Sequence, residues 1–269
     1  MSEQAERVAV EAARQAGAVM REALRGHLEV RSKSSAIDLV TQVDVQCEQL
    51  INQILRTAFP GHTMIGEESA AEYGWTDEQV ATATMEAENA WIVDPIDGTR
   101  NYVQRISGFT CSIALVRRGR VELGVVYDPM ADEIFVARRG HGARCNDRPI
   151  RVASVPDLGM AVMGTAFPSA PASRARATAD IAAIAPRVMD MRCLGSAALD
   201  LAYVACGRLT GSCDLDLHSW DHAAGALLVE EAGGVVTDAH GTPYTPVSVD
   251  SIASNGQIHD ALLELLTVP

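Results

Sequence analysis

Along residues 4–25, Val8, Ala12, Ala16, Val19 and Leu24 recur at helical spacing, which predicts an amphipathic helix. A second helix is expected over 43–58, where Val43, Cys47, Leu50, Ile51, Ile54 and Leu55 share a face and Pro60-Gly61 ends it. The apolar run 62–66 reads as a short strand that delivers Glu67 and Glu68. Residues 70–90 are polar and Ala-rich and read as a long loop or a short, weak helix. The segments 110–117 and 121–127 predict a hairpin about RRGR, and 133–138 a further strand. GHGARCNDRPI reads as turn plus strand, and Pro- and Ser-bearing 153–175 as loop. Helix is then expected over 174–185, strand over 188–193, and helix over 195–208 and 218–234, with Gly233 at the C-terminal cap of the last. Helices, then mostly sheet, then alternating elements predict a layered mixed α/β arrangement.

The 269 residues are 48% hydrophobic but only 4% aromatic, so Ala, Val, Leu and Ile must fill the interior. A net charge of −13 argues against a generic nucleic-acid binder, which would be basic. Binding a phosphate would need local help from a metal ion or a helix N-terminus. Six cysteines without a C-x-x-C pair read as free thiols of a reducing cytoplasm. The charged N-terminus has no apolar signal region, and no apolar run approaches the roughly 20 residues of a membrane span. A soluble cytoplasmic protein is the expectation.

The chemistry centres on "WIVDPIDGTRNY", residues 91–102, where Asp94 and Asp97 follow an apolar run with Pro95 and Ile96 between them. Such close carboxylates need either water or a cation. With Glu67, Glu68 and Asp221 they make a set of hard oxygen donors suited to Mg²⁺. Taken singly, the D-x-x-D pair also reads as turn-forming and Asp221 as a helix cap. His218 and His222 stand i, i+4 like a zinc pair, but no third ligand accompanies them, so they read as solvated or packed. Gly98-Thr99 and Gly195-Ser196-Ala197 each stand where a helix could begin and offer its free N–H groups to an anion.

"GEES" (66–69), "WIVDPIDGTRNY" and "WDHAAGALLVEEAGG" (220–234) resemble the signature segments of inositol monophosphatases. "KSSAIDLVTQVD" (33–44), "GVVYDP" (124–129) and "GSAALDLAYVACGR" (195–208) extend the resemblance over about residues 28–260, nearly the whole chain. It implies the layered αβαβα sandwich of that superfamily, as one catalytic domain over 1–269 with halves of about 1–150 and 151–269. It implies a Mg²⁺-dependent phosphomonoesterase acting on myo-inositol 1-phosphate, by in-line attack of metal-activated water. Two or three Mg²⁺, inhibition by Li⁺, a homodimer and a small phosphorylated metabolite as partner are implied with it. Glu67, Asp94 and the Ile96 carbonyl match ligands of a first ion, and Asp94, Asp97 and Asp221 those of a second. Glu67 would also hold a third, and Glu68 would stand behind the ligands. Asp97, Gly98 and Thr99 would meet the phosphate, and Asp44 with Thr99 would orient the attacking water. Gly195, Ser196, Ala197 and Asp214 match contacts to the sugar alcohol, and Lys33 a mobile lysine near the site.

Two residues depart from the family pattern: Asp214 replaces a longer Glu, and Arg100 follows Thr99 where a small residue is common. Other substrates of the same chemistry stay open: histidinol phosphate, fructose 1,6-bisphosphate, NADP or a 3′-phosphoadenosine nucleotide. A regulatory or binding protein on the same fold is a further alternative.

Overall fold

A computed structural model describes residues 2–32 and 39–266. Two long helices, α1 (Ser2–Ala23) and α2 (Gln42–Ala58), flank a small antiparallel pair, β1 (Val30–Ser32) and β2 (Leu39–Thr41). Then come β3 (Thr63–Gly66), α3 (Glu67–Tyr73), α4 (Asp77–Glu86), β4 (Ala90–Asp97) and α5 (Thr99–Gln104). The meander β5 (Thr110–Arg117), β6 (Arg120–Asp128), β7 (Glu133–Arg138), β8 (Ala143–Cys145) and β9 (Arg148–Pro149) completes a seven-stranded sheet in the order β3 to β9. Only β3 and β4 pair in parallel; the other neighbours are antiparallel.

A second sheet follows, with strands β10 (Val162–Thr165), β11 (Asp190–Arg192), β12 (Gly211–Leu215), β13 (Val235–Thr237) and β14 (Asp250–Ser254) in the order β11-β10-β12-β14-β13. Its helices are α6 (Pro171–Ile184), α7 (Ala197–Ala205), α8 (Ser219–Glu231) and α9 (His259–Leu263).

Strand alternation makes the layers. Trp91, Val93, Ile113, Leu123 and Val125 face α1 and α2, where Ala9, Ala12, Ala13 and Ala16 let the helix lie close. Ile92, Ala114, Val126, Phe135 and Ala137 face the opposite way and pack on α7 and α8. The second sheet closes over those helices, and its far side, with Met163, Cys213, Leu215 and Ile252, is covered by α6 and α9. The order of layers is therefore αβαβα, as expected. Gly124 of β6 is what brings α8 so near: a Cβ there would lie 2.5 Å from the Ala224 carbonyl oxygen.

Three readings of the sequence need correction or completion. Residues 70–90 take the helical of the two readings, not the long loop: they hold α4 and the end of α3, with Thr76 and Gln79 in a reciprocal capping box and Val80 and Thr84 buried. Residues 153–175 contain β10, and α6 begins at Pro171, its first-turn proline. Strands β12 to β14 and helix α9 carried too short a pattern to be read. The expected ends of the other helices hold within a few residues, and Gly233 follows α8 with φ of 89°.

Candidate active site

Asp94 and Asp97 are three residues apart, so in an unbroken strand they would point to opposite faces. β4 is broken between them. Asp94 pairs with Ser112 but Asp97 with Thr110, so β4 spends one residue more than β5 over the same stretch. Pro95, which has no N–H to give the ladder, sits in this bulge. The extra residue brings both carboxylates to one place, where Asp221 from the first turn of α8 meets them. One oxygen from each of the three acids lies within 4.8 Å of the others.

Each acid is held from behind. The Asp94 Oδ1 accepts from the Ile96 N–H at 2.9 Å. The Asp97 Oδ2 accepts from the Ser196 hydroxyl at 2.6 Å and the Ala198 N–H at 2.7 Å, at the start of α7. The Asp221 Oδ2 accepts from the His218 N–H at 2.6 Å in the capping arrangement of α8. Asp44 is fully buried; its Oδ2 accepts from the Thr41 N–H and hydroxyl at 2.8 and 2.6 Å. The Thr99 hydroxyl then has two acceptors, Asp44 Oδ1 at 3.3 Å and the Ile96 carbonyl at 3.0 Å. Gly98, with φ of 95°, makes the turn into α5; a Cβ would lie 2.8 Å from the Gly108 carbonyl oxygen, so only glycine fits.

Burial, with the Asp221 charge adding to it, pushes Asp97 up to about 8 despite its two donors. Three clustered carboxylates are thus out of place without a positive charge, and they offer hard oxygens only. The residues fit a magnesium-type ion.

The acids open on a cleft of about 720 Å³. Glu67, Ile96, Gly98, Thr99, Gly195 and Ala197 line it beside Asp94, Asp97 and Asp221. Asp44 stands behind Thr99. Several residues expected at the site do not line the cleft. Ser196 is buried, and its hydroxyl serves Asp97 and caps Leu199 N–H at 3.1 Å. The anion gripped by the N-terminus of α7 is therefore Asp97 itself. Asp214 on β12 is fully buried next to Asp200 and is not one of the residues that line the cleft. Glu68 lines a separate groove along α2 and α3. Lys33 lies outside the described residues. His222 turns inward to the Tyr244 hydroxyl at 2.6 Å, and His218 stacks on Trp220, so the two do not form a metal pair.

Reading by sequence did not assign other parts of the wall to the site, among them Trp75 and Asp77 on either side of the α4 cap, residues 166–171, and Asp216, which has φ of 60°. The Thr76 capping box was the one local signal for the first of these. All six cysteines are free, and among the described residues no helix is long and apolar enough to cross a membrane.

Fold and site together define a layered αβαβα molecule with an all-oxygen acidic centre at the strand and helix ends around one cleft. The profile of the inositol monophosphatase family matches residues 1–267. The Nus factor SuhB of Salmonella typhimurium is 40% identical over 258 residues, covering 95% of this chain and 93% of that one. The crystal structure of the extragenic suppressor protein SuhB from Bartonella henselae superposes with a TM-score of 0.88 at 36% identity and covers 98% of both chains. An IMPase of Thermotoga maritima superposes at 0.85 with 32% identity, covering 98% of this chain and 96% of that one. The chain belongs to the inositol monophosphatase family.

Proposed function

We propose that the cleft hydrolyses a small phosphate monoester with Mg²⁺, myo-inositol 1-phosphate first among the candidates. The observation that carries this reading is the meeting of Asp94, Asp97 and Asp221 within 4.8 Å beside the Thr99–Asp44 pair. Asp94, Asp97, Asp221, Glu67 and the Ile96 carbonyl would hold the ions. Bound there, the ions supply charge neutralisation for phosphate and acids and lower the pKa of coordinated water.

The chain's own residues do the positioning. Asp44 has one oxygen committed to Thr41, and its other oxygen takes the Thr99 proton. Thr99 would then accept a hydrogen bond from a water molecule, which leaves a lone pair of that water directed at phosphorus; the proton the water loses on attack passes through Thr99 to Asp44. The Gly98 turn lets the start of α5 lie against the Gly108 and Gly195 backbone, which sets Thr99 at the cleft. Water attacks in line, the P–O bond to the alcohol breaks, and the alcohol oxygen leaves with a proton from solvent. Positioning and electrostatics supply most of such a rate enhancement.

The test is phosphate release with and without Mg²⁺ over inositol 1-phosphate, histidinol phosphate, fructose 1,6-bisphosphate, NADP and 3′-phosphoadenosine 5′-phosphate. Release from none of them at any Mg²⁺ concentration would overturn the reading.

The ion has a second readout. A proton held on Asp97 up to about 8 stabilises the metal-free chain at low pH, and that contribution is lost as pH rises through about 8. Mg²⁺ takes the proton's place. Mg²⁺ is therefore expected to raise Tm more at pH 8.5 than at pH 6, and to release protons on binding at pH 7. Equal Tm shifts at both pH values, with no buffer dependence in calorimetry, would contradict it.

The relatives called Nus factor favour a second reading, in which a surface of this chain serves a protein partner. Capture of the same partner by wild type and by Asp97→Asn would separate that role from the chemistry.

A further inference from the structure

The acidic centre leaves one charged feature of the cleft unexplained. Arg100 follows Thr99 in α5, is exposed, and lines the same cleft as the three acids. Its Nη2 donates to the Phe167 carbonyl at 2.9 Å. Arg174 of α6 lies 5.2 Å over the Phe167 ring, and its Nη1 donates to the Pro168 carbonyl at 3.3 Å. Two guanidinium groups thus hold consecutive carbonyls of one cleft-lining segment, and both charges act on the nearby Cys193 thiol.

Some arginines pair with acids, Arg139 with Glu230, Arg144 with Glu6, Arg176 with Asp250 and Arg208 with Glu133, while Arg105 donates to the Leu24 and Gly26 carbonyls away from the cleft. Among the described residues neither Arg100 nor Arg174 has a carboxylate partner. What sets these two apart is place: in a chain of net charge −13, both guanidiniums sit on residues 167–168 of the cleft wall, and Arg100 itself lines the cleft beside the three acids. Arg100 spends one N–H on Phe167, and a guanidinium has five in a planar fork matched to phosphate or carboxylate.

We propose that Arg100, with Arg174 behind it, forms a second anion subsite, so that the preferred substrate carries a further anionic group on its alcohol part. The proposal rests on the phosphatase reading: the acids and their ions take the scissile phosphate, and Arg100 takes the second phosphate or carboxylate. Arg100 acts here as a specificity residue, and the Phe167 carbonyl fixes where its fork points.

The experiment compares matched pairs that differ by one anionic group. These are fructose 1-phosphate against fructose 1,6-bisphosphate, adenosine 3′-phosphate against 3′-phosphoadenosine 5′-phosphate, and glycerol 3-phosphate against 3-phosphoglycerate. The first two pairs test a second phosphate and the third a carboxylate. In wild type, at least one doubly anionic member is expected to lead its partner by about tenfold or more in kcat/KM, the scale of a charge-assisted hydrogen bond. Arg100→Thr is expected to collapse that ratio, mainly through KM, and Arg100→Lys to restore part of it. Phosphate release with no preference in any pair would overturn the subsite, as would a parallel fall of both members in Arg100→Thr, which would mark a mere prop for residues 166–171. If no phosphate is released at all, the phosphatase reading fails. The subsite is then decided by calorimetric binding of fructose 1,6-bisphosphate against fructose 6-phosphate to wild type and Arg100→Thr: tighter binding of the bisphosphate that the substitution removes supports it, and equal binding overturns it.

Discussion

Asp97→Asn is expected to lower Mg²⁺-dependent phosphate release by about a thousandfold or more, the scale of losing a main electrostatic group at a reacting centre. The substitution keeps the shape of the side chain. Its amide oxygen can still accept from Ser196 and Ala198, the two donors that hold Asp97 now. What disappears is a negative charge facing Asp94 and Asp221. The same change is therefore expected to raise metal-free stability at pH 8, because the wild-type carboxyl is pushed up to about 8 by burial and by Asp221. A phosphate-release assay paired with thermal unfolding, with and without Mg²⁺, reads both effects. Activity within tenfold of wild type would remove Asp97 from the mechanism. A metal-free variant less stable than wild type at pH 8 would show that its role is structural.

The second large effect lies away from the cleft. Gly124→Val is expected to destabilise the chain by about 3 kcal/mol, the upper part of the usual range for overpacking. A Cβ at Gly124 would meet the Ala224 carbonyl oxygen at 2.5 Å and its Cα at 2.9 Å, both backbone atoms that cannot rotate away. β6 and α8 must separate, and with α8 moves Asp221. For a chain of this size the change corresponds to a fall in Tm of roughly 6–12 °C. Gly61→Ala is the control: nothing lies within 4 Å of a Cβ there. Equal unfolding midpoints for the two variants in urea would show that the contact between the layers is not tight.

The parts of the fold that could be read from the chain have local causes. α1 and α2 show apolar positions at helical spacing, and α8 is closed by Gly233. The β5–β6 hairpin shows strand patterning about a turn. Strands β10 and β12 to β14 carry three to five residues each, too few to show a period, and β12 has a single large apolar residue, Leu215, after Gly, Ser, Cys and Asp. They exist because helices on both sides bury them. α4 could be read only as one of two alternatives because its evidence was a capping box, not an apolar stripe.

The site divides in the same way. By itself, the amino-acid sequence determined which acids and glycines the centre uses, because Asp94, Pro95, Asp97, Gly98 and Thr99 are neighbours in one motif. Their aim came from tertiary structure. The extra residue in β4, seen only against its partner β5, turns Asp94 and Asp97 to one side. The clamp of α7 on Asp97 joins residues 99 and 101 positions apart. Asp214 shares the acidity of the centre but is buried and does not line the cleft, while Arg100 is set on the wall by a carbonyl 67 residues distant. Periodicity, caps and turns act over a few residues and can be read along the chain. Which side chains share one cleft depends on how layers pack, and that is decided by contacts between segments that no local pattern encodes.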